Sequence, residues 1–330
     1  MAVLVSGGAG YIGSHMVLEL LDRGEKVVVL DNLSTGFWWA VPPEAIFVQG
    51  DIGNQDLVEG LIGEYEITEI AHFAARIVVP ESVTDPLGYY FNNTVKTRAL
   101  IESAARKGVK HVIFSSTAAV YGEPDVSPVP EEIALNPINP YGRSKLMSEW
   151  MLQDAAKAHG FSYVALRYFN VAGADPKLRS GQSSPNATHL IKVASQAALG
   201  QRDGLTVFGT DYATPDGTCV RDYIHVTDLA RAHLAALDHL RGGGASLTLN
   251  CGYGRGYSVK EVVEVVKKVS GVDFPVTLAE RRPGDPASLI ARADRIRAEL
   301  GWQPEHDDLE EIVGQALAWE EKLRTKNATS

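Results

Sequence analysis

Two hydrophobic periods alternate along the first half of the chain. Short runs in which nearly every residue is apolar stand at 2–6 (AVLVS) and 26–30 (KVVVL). Their length and β-branching predict strands buried on both faces. Comparable runs at 46–49, 70–73, 111–115 and 163–166 predict four more strands. Between them, apolar residues recur at three- and four-residue intervals over 11–23, 56–63, 87–107 and 141–159, which predicts helices. Strand and helix in regular alternation build a parallel sheet covered on both sides, with right-handed crossovers. The expected class is α/β, a doubly wound parallel sheet.

The pattern changes after about residue 170. Segments 174–187 and 210–218 are rich in Pro, Ser, Gly and charge and predict loops. Helical periodicity returns at 226–241, 258–269 and 309–322, with a short strand at 247–250. This half is expected to form a smaller mixed α/β lobe that closes over the carboxyl edge of the sheet. The division is placed at 1–167 and 168–330, approximately, with some crossing back. The tail 324–330 is polar and is expected to fray.

Composition narrows the ligands. The chain has 330 residues, 45% hydrophobic and 22% charged, with a net charge of −10. That balance argues against nucleic acid or an anionic membrane surface as partner. An anionic ligand must be met by a local group of arginines. Two cysteines, Cys219 and Cys251, lack metal-ligand spacing and read as reduced, buried thiols. No metal is expected. With no apolar run of about 18 residues and no basic leader, the expected compartment is the cytoplasm.

Three stretches carry chemistry. Gly7, Gly10 and Gly13 form G-x-x-G-x-x-G between the first strand and the first helix. Such glycines let backbone approach a pyrophosphate at a helix N-terminus, the signature of a Rossmann-type sheet. Asp31 ends the second strand, where a carboxylate can hold both ribose hydroxyls and would repel a 2′-phosphate, favouring NAD over NADP. It also fits a plain turn acid. Tyr141 and Lys145 share a helix face at i and i+4. An adjacent ammonium lowers a phenol's pKa and makes it a base; the same spacing also occurs on ordinary surface helices. The run SSTAAVYG leaves a strand's carboxyl end. It offers Thr117 as a hydroxyl beside Tyr141, or simply a turn.

Read together, GGAGYIGSH, DNLSTG, GDI, HFAA, SSTAAVYG, PYGRSK, RYFNVAGA, VRDYIHV and RRPGD follow one another across nearly the whole chain. This set resembles the extended short-chain dehydrogenase/reductase family, in its branch that epimerises UDP-sugars. The resemblance implies transient oxidation of a UDP-hexose at C4 by tightly held NAD, rotation of the 4-keto sugar and re-reduction, so that UDP-glucose and UDP-galactose interconvert. It implies Tyr141 as base, Lys145 as its partner and ribose ligand, and Thr117 as the substrate-facing hydroxyl. Gly7, Gly10, Tyr11, Ile12, Gly13, Asp31, Asn32, Asp51, Ile52, Phe73, Ala74, Ala75, Asn92, Ser115 and Tyr168 would contact the cofactor. Asn170, His189, Leu190, Phe208, Arg221, Arg282 and Asp285 would contact the UDP-sugar. A homodimer through the helices at 87–107 and 141–159 is implied as well.

Departures and rivals stand beside this. Arg76-Ile77 occupies the place of a cofactor-phosphate lysine, which is absent or replaced by Arg76. Leu289 stands where some members carry tyrosine, and a smaller side chain there admits a larger sugar substituent. His189 stands where asparagine is common. Arg221 could pair structurally with Asp222, and Arg282 could be a surface charge. Trp38-Trp39 could be a flap or ordinary packing. An N-acetylhexosamine, pentose or uronic-acid 4-epimerase fits the same residues. A 4,6-dehydratase fits less well, because Ala118 and Ala119 cannot transfer protons. A non-catalytic NAD-binding protein would not require Tyr141 or Lys145.

Overall fold

The computed structural model describes residues 2–184, 187–282 and 284–327. The first half runs β1 (Ala2–Ser6), α1 (Tyr11–Asp22), β2 (Val27–Asp31), β3 (Ile46–Gln49), α2 (Gln55–Glu64) and β4 (Ile67–His72). It continues with α3 (Val79–Thr84), α4 (Pro86–Tyr89), a π-helical turn (Tyr90–Val95), α5 (Lys96–Arg106), β5 (His111–Ser115), α6 (Pro140–His159) and β6 (Ser162–Tyr168). The second half holds β7 (Asn170–Ala172), α7 (Leu190–Ala198), β8 (Leu205–Phe208), β9 (Val220–Arg221), β10 (Tyr223–His225), α8 (Val226–Arg241) and β11 (Leu247–Cys251). It ends with β12 (Tyr257–Ser258), α9 (Val259–Ser270), β13 (Val276–Ala279), β14 (Ser288–Leu289), α10 (Asp294–Leu300) and α11 (Leu309–Asn327).

Seven parallel strands form the main sheet in the order β11-β6-β5-β4-β1-β2-β3. The period-2 geometry of a strand sends neighbours to opposite faces. Val3, Val5, Val27 and Val29 join one core with α1 and α8, while Ala2, Leu4, Val28 and Leu30 join another with α2, α5 and α6. Both faces are therefore apolar, which explains the unbroken runs. Strand order reverses between β1 and β4, so a crevice opens at their carboxyl ends. Two elements from beyond residue 168 complete this layer: β11 pairs with β6, and α8 packs on α1, β5 and β6.

The helix expected over 87–107 is instead three pieces, with the π turn at Tyr90–Val95. The widened turn faces Asn93 inward, where it is 1% exposed. Its amide accepts from Arg76 N–H at 2.9 Å and donates to Arg76 C=O at 2.9 Å and to Ser144 Oγ at 3.1 Å. Apolar spacing alone does not register such an insertion. The short helix α7 and the small strands β7–β10 and β12–β14 also escape the sequence pattern. Of the tail 324–330, α11 takes in the residues through Asn327. The end of that tail, 328–330, and residue 283 of RRPGD lie outside the described residues. Among the described residues, no helix is long and apolar enough to cross a membrane.

Candidate active site

The turn after β1 is shaped by what glycine lacks. Gly7 has φ +76°, and a Cβ there would lie 2.5 Å from Ala74 N. A Cβ on Gly13 would lie 2.2 Å from the Gly7 carbonyl oxygen. Backbone thus meets backbone at both positions, and α1 starts close against the strand with its N–H groups facing the crevice. Phe73 and Ala74 N–H both donate to Ser6 O, at 2.8 and 3.1 Å, holding the β4 exit beside this turn. A cradle that any Cβ would fill fits a dinucleotide's pyrophosphate.

Asp31 closes the same edge. It is 9% exposed, and its two oxygens accept from Ala9 N at 3.0 Å and Leu33 N at 2.8 Å. Burial pushes its carboxyl up, opposed by those two N–H donors. Each oxygen keeps a second lone pair for a ligand hydroxyl. Farther along, Asp51 accepts from Lys96 Nζ at 2.5 Å, from Asn32 Nδ2 at 3.1 Å and from Gly53 N at 2.8 Å. Burial would raise its carboxyl, but these donors outweigh it and hold it below the usual range. Ile52 is packed in the core under α2 and β2. Tyr11 donates its hydroxyl to Gly173 O at 2.7 Å, tying α1 to the second half, while Ile12 packs on the core.

Helix α6 brings up the phenol. Asn139 caps it by accepting from Gly142 N at 2.8 Å, and Pro140 occupies its first turn. A Cβ on Gly142 would sit 2.5 Å from Ala119 O, so the helix start lies directly on the segment that follows β5. Thr117 lies beside Tyr141 there, and its hydroxyl favours the phenolate. Tyr141 is 7% exposed and Lys145 3%. Burial pushes the phenol up, partly offset by Thr117, and pushes the ammonium down to about 7, partly offset by Glu149. The Lys145 ammonium lies 4.6 Å from the Phe114 ring centroid. In the chain alone burial outweighs any lowering of the phenol; positive charge brought in by a ligand would lower it. Ser115 Oγ and the Tyr168 hydroxyl are 2.5 Å apart on the neighbouring strands.

The candidate sugar-nucleotide residues fall into two groups. Asn170, His189 and Leu190 line one pocket with Lys192, Tyr223 and Trp319. His189 Nδ1 is 2.6 Å from Gln182 Nε2, and burial lowers its imidazole. In the second group, Arg282 lies over the Phe208 ring at 4.9 Å and donates Nε to Asp285 at 2.9 Å. Arg221 approaches the other Asp285 oxygen at 3.7 Å and donates to Pro286 O at 2.8 Å. Asp222 is not its partner. That carboxylate is buried and accepts from Tyr253, Gly254 and Ala291 N–H. Leu289 stands beside Arg221 in register on the adjacent strand.

Arg76 and Trp39 both have partners within the chain. The Arg76 guanidinium is bound to Glu81 at 2.5 Å and Asp85 at 2.8 Å and covers the Tyr89 ring. Asn92 donates to Asn93 at 3.0 Å, and Ala75 precedes this anchored loop. Trp39 stacks on Phe37 at 4.9 Å and tilts against Trp319, which is packing; Trp38 is 71% exposed.

Sequence reading missed a buried polar group behind Tyr141. Arg167 of β6 grips Glu149 of α6 with Nε at 3.0 Å and Nη2 at 2.6 Å, and Ser116 Oγ donates to the same carboxylate. Arg167 also reaches the Tyr121 hydroxyl at 3.1 Å, which donates to Asn250 at 2.6 Å. Signals were present: Glu149 continues the Tyr141, Lys145 spacing by another four residues, and Arg167 interrupts an otherwise apolar strand.

The profile of the NAD dependent epimerase/dehydratase family matches residues 3–252. A UDP-glucose 4-epimerase of Azospirillum brasilense is 58% identical over 321 residues, 97% of this chain and 92% of that protein. The structure of a UDP-glucose 4-epimerase from Brucella ovis in complex with NAD superposes with a TM-score of 0.94 at 47% identity, covering 96% of this chain and 97% of that one. The UDP-Glc/GlcNAc 4-epimerase of Campylobacter jejuni gives 0.86 at 52% identity, covering 97% and 99%.

Proposed function

The chain belongs to the NAD dependent epimerase/dehydratase family, and on that premise we propose that it interconverts UDP-glucose and UDP-galactose by inverting C4. The observation that carries this is the buried Tyr141, beside Thr117 and one helical turn from Lys145, at the same carboxyl edge of the sheet as the glycine cradle. NAD, when bound, supplies the electron sink for C4 and returns what it takes. The chain's own residues do the rest. Gly7, Gly10 and Gly13 admit the pyrophosphate to the α1 N-terminus, and Asp31 accepts from the adenosine ribose. Tyr141 takes the proton of the 4-hydroxyl and gives it back on the other face, with Thr117 fixing the phenol. Lys145 holds the nicotinamide ribose. Arg221 and Arg282 grip the diphosphate with planar forks, which anchors the molecule while the 4-keto sugar turns.

The test mixes the purified chain with UDP-galactose and adds no cofactor. UDP-glucose should form until the two sugars reach equilibrium. Absence of interconversion, or release of a 4-keto-6-deoxy sugar, would overturn the reading. A second reading rests on Leu289: a side chain without an aromatic ring beside Arg221 leaves room for an N-acetyl group. The same assay with UDP-N-acetylgalactosamine decides it.

We also propose a homodimer. Leu87, Phe91, Val95 and Trp150 are 78%, 58%, 50% and 54% exposed on the helices that the resemblance assigns to pairing. Four large apolar groups exposed on two helical stretches that pack together fit a second copy of the chain. Phe91→Glu with Trp150→Glu should halve the mass seen by light scattering; an unchanged mass would refute this interface. The cytoplasm is the proposed compartment, in keeping with two buried, unpaired thiols. We divide function near residue 167, with NAD held mainly by the first part and the UDP-sugar by the second.

A further inference from the structure

The buried Glu149–Arg167 pair joins three elements that each carry a residue of the proposed site. Glu149 lies on α6, two turns beyond Tyr141 and one beyond Lys145. Arg167 lies on β6, immediately before Tyr168. Ser116 lies between β5 and the Thr117 turn. Both charged side chains are 6% exposed, and Ser116 is fully buried. The carboxylate is bound by three donors from two elements other than its own: Arg167 Nε at 3.0 Å, Arg167 Nη2 at 2.6 Å and Ser116 Oγ. Apolar side chains of matching volume would hold α6 against the sheet as well or better. They would not fix its rotation and height, because apolar contact has no direction, whereas a bidentate fork does.

We propose that Glu149 is a positioning residue that sets Thr117, Tyr141 and Tyr168 in one register. It does so by clamping Ser116 and Arg167 to the face of α6 that presents the phenol. The inference rests on the reading of function given above. Glu149 touches neither sugar nor cofactor. A displacement of the phenol by about 1 Å is enough to cost ~100-fold in turnover, so the clamp acts on kcat and leaves the distant diphosphate contacts, and hence KM, nearly alone. Its charge also favours the ammonium form of Lys145.

Replacing one partner strands a buried charge, so the test removes both. The variant Glu149→Leu with Arg167→Met should fold, with circular dichroism and bound NAD as in the parent. Its kcat on UDP-galactose should fall at least tenfold while KM stays within about twofold. In Glu149→Gln with Arg167→Met the amide oxygen can still accept from Ser116, and much of kcat should return. Ser116→Ala, which spares the ion pair, should lose kcat severalfold. Parental kcat in the folded Leu/Met variant would overturn the clamp and leave the function intact. Should that variant fail to fold, parental kcat in Ser116→Ala would overturn it equally. Inactivity of the parent chain on UDP-galactose would instead defeat the function and this inference together.

Discussion

Tyr141→Phe should lower kcat by about three orders of magnitude, ~4 kcal/mol of barrier, while bound NAD remains at the parental level. The substitution removes one oxygen from a buried ring and leaves its packing. Thr117 keeps its contact with Ala119 N at 3.2 Å. The effect therefore isolates proton transfer from folding. The unaided phenol is unsuited to this work, because burial pushes it up while Lys145 is itself pushed down to about 7. A ligand's positive charge beside the phenol would favour its phenolate, which couples base strength to the oxidised cofactor. Absorbance of bound NAD and initial rates on UDP-galactose, measured on one preparation, check the prediction. Near-parental turnover would dismiss Tyr141 as the base.

Gly13→Ala should yield a chain that binds NAD at least tenfold more weakly, with activity lost in proportion. The added Cβ would meet the Gly7 carbonyl oxygen at 2.2 Å and its carbon at 2.8 Å. Backbone cannot swing aside as a side chain can, so α1 must move off the turn. Overpacking of this kind costs about 1–3 kcal/mol in stability. The larger loss is the alignment of the α1 N–H groups with the pyrophosphate. Isothermal titration with NAD and a thermal melt separate the two effects. Parental affinity in a stable variant would show that the turn tolerates a side chain and is not a phosphate cradle.

What the sequence revealed, and what it withheld, follows from the range of each interaction. Residues 2–6 read as a strand because both faces of the sheet are apolar there and every side chain reports burial, whereas the edge strand at 46–49 alternates half-buried with exposed positions. Tyr141 and Lys145 were legible because a helix places i and i+4 together regardless of the rest of the fold. The π turn at Tyr90–Val95 was not, since it depends on Asn93 finding Arg76 and Ser144, 17 and 51 residues away. The fate of Arg76 was hidden for the same reason: its identity suggested a phosphate ligand, while Glu81 and Asp85 already hold it. Local spacing likewise suggested Arg221 with Asp222, but the strand sends the two side chains to opposite sides, and Arg221 turns to Asp285. Glu149 and Arg167 look like a surface acid and a strand irregularity until the sheet brings them within 2.6 Å.

The return of α8 and β11 to the large sheet limits how this molecule can be cut. A piece ending after β6 would bare the N–H and C=O groups that pair with Leu247–Cys251, a sticky rim that invites self-association. It would also uncover the apolar side of α1 and remove Asn250, the acceptor for the buried Tyr121 hydroxyl. Nucleotide and sugar halves are consequently not interchangeable cassettes. A chimera with a relative must transplant residues 226–251 together with the first half, or it will inherit a sheet with one side unfinished.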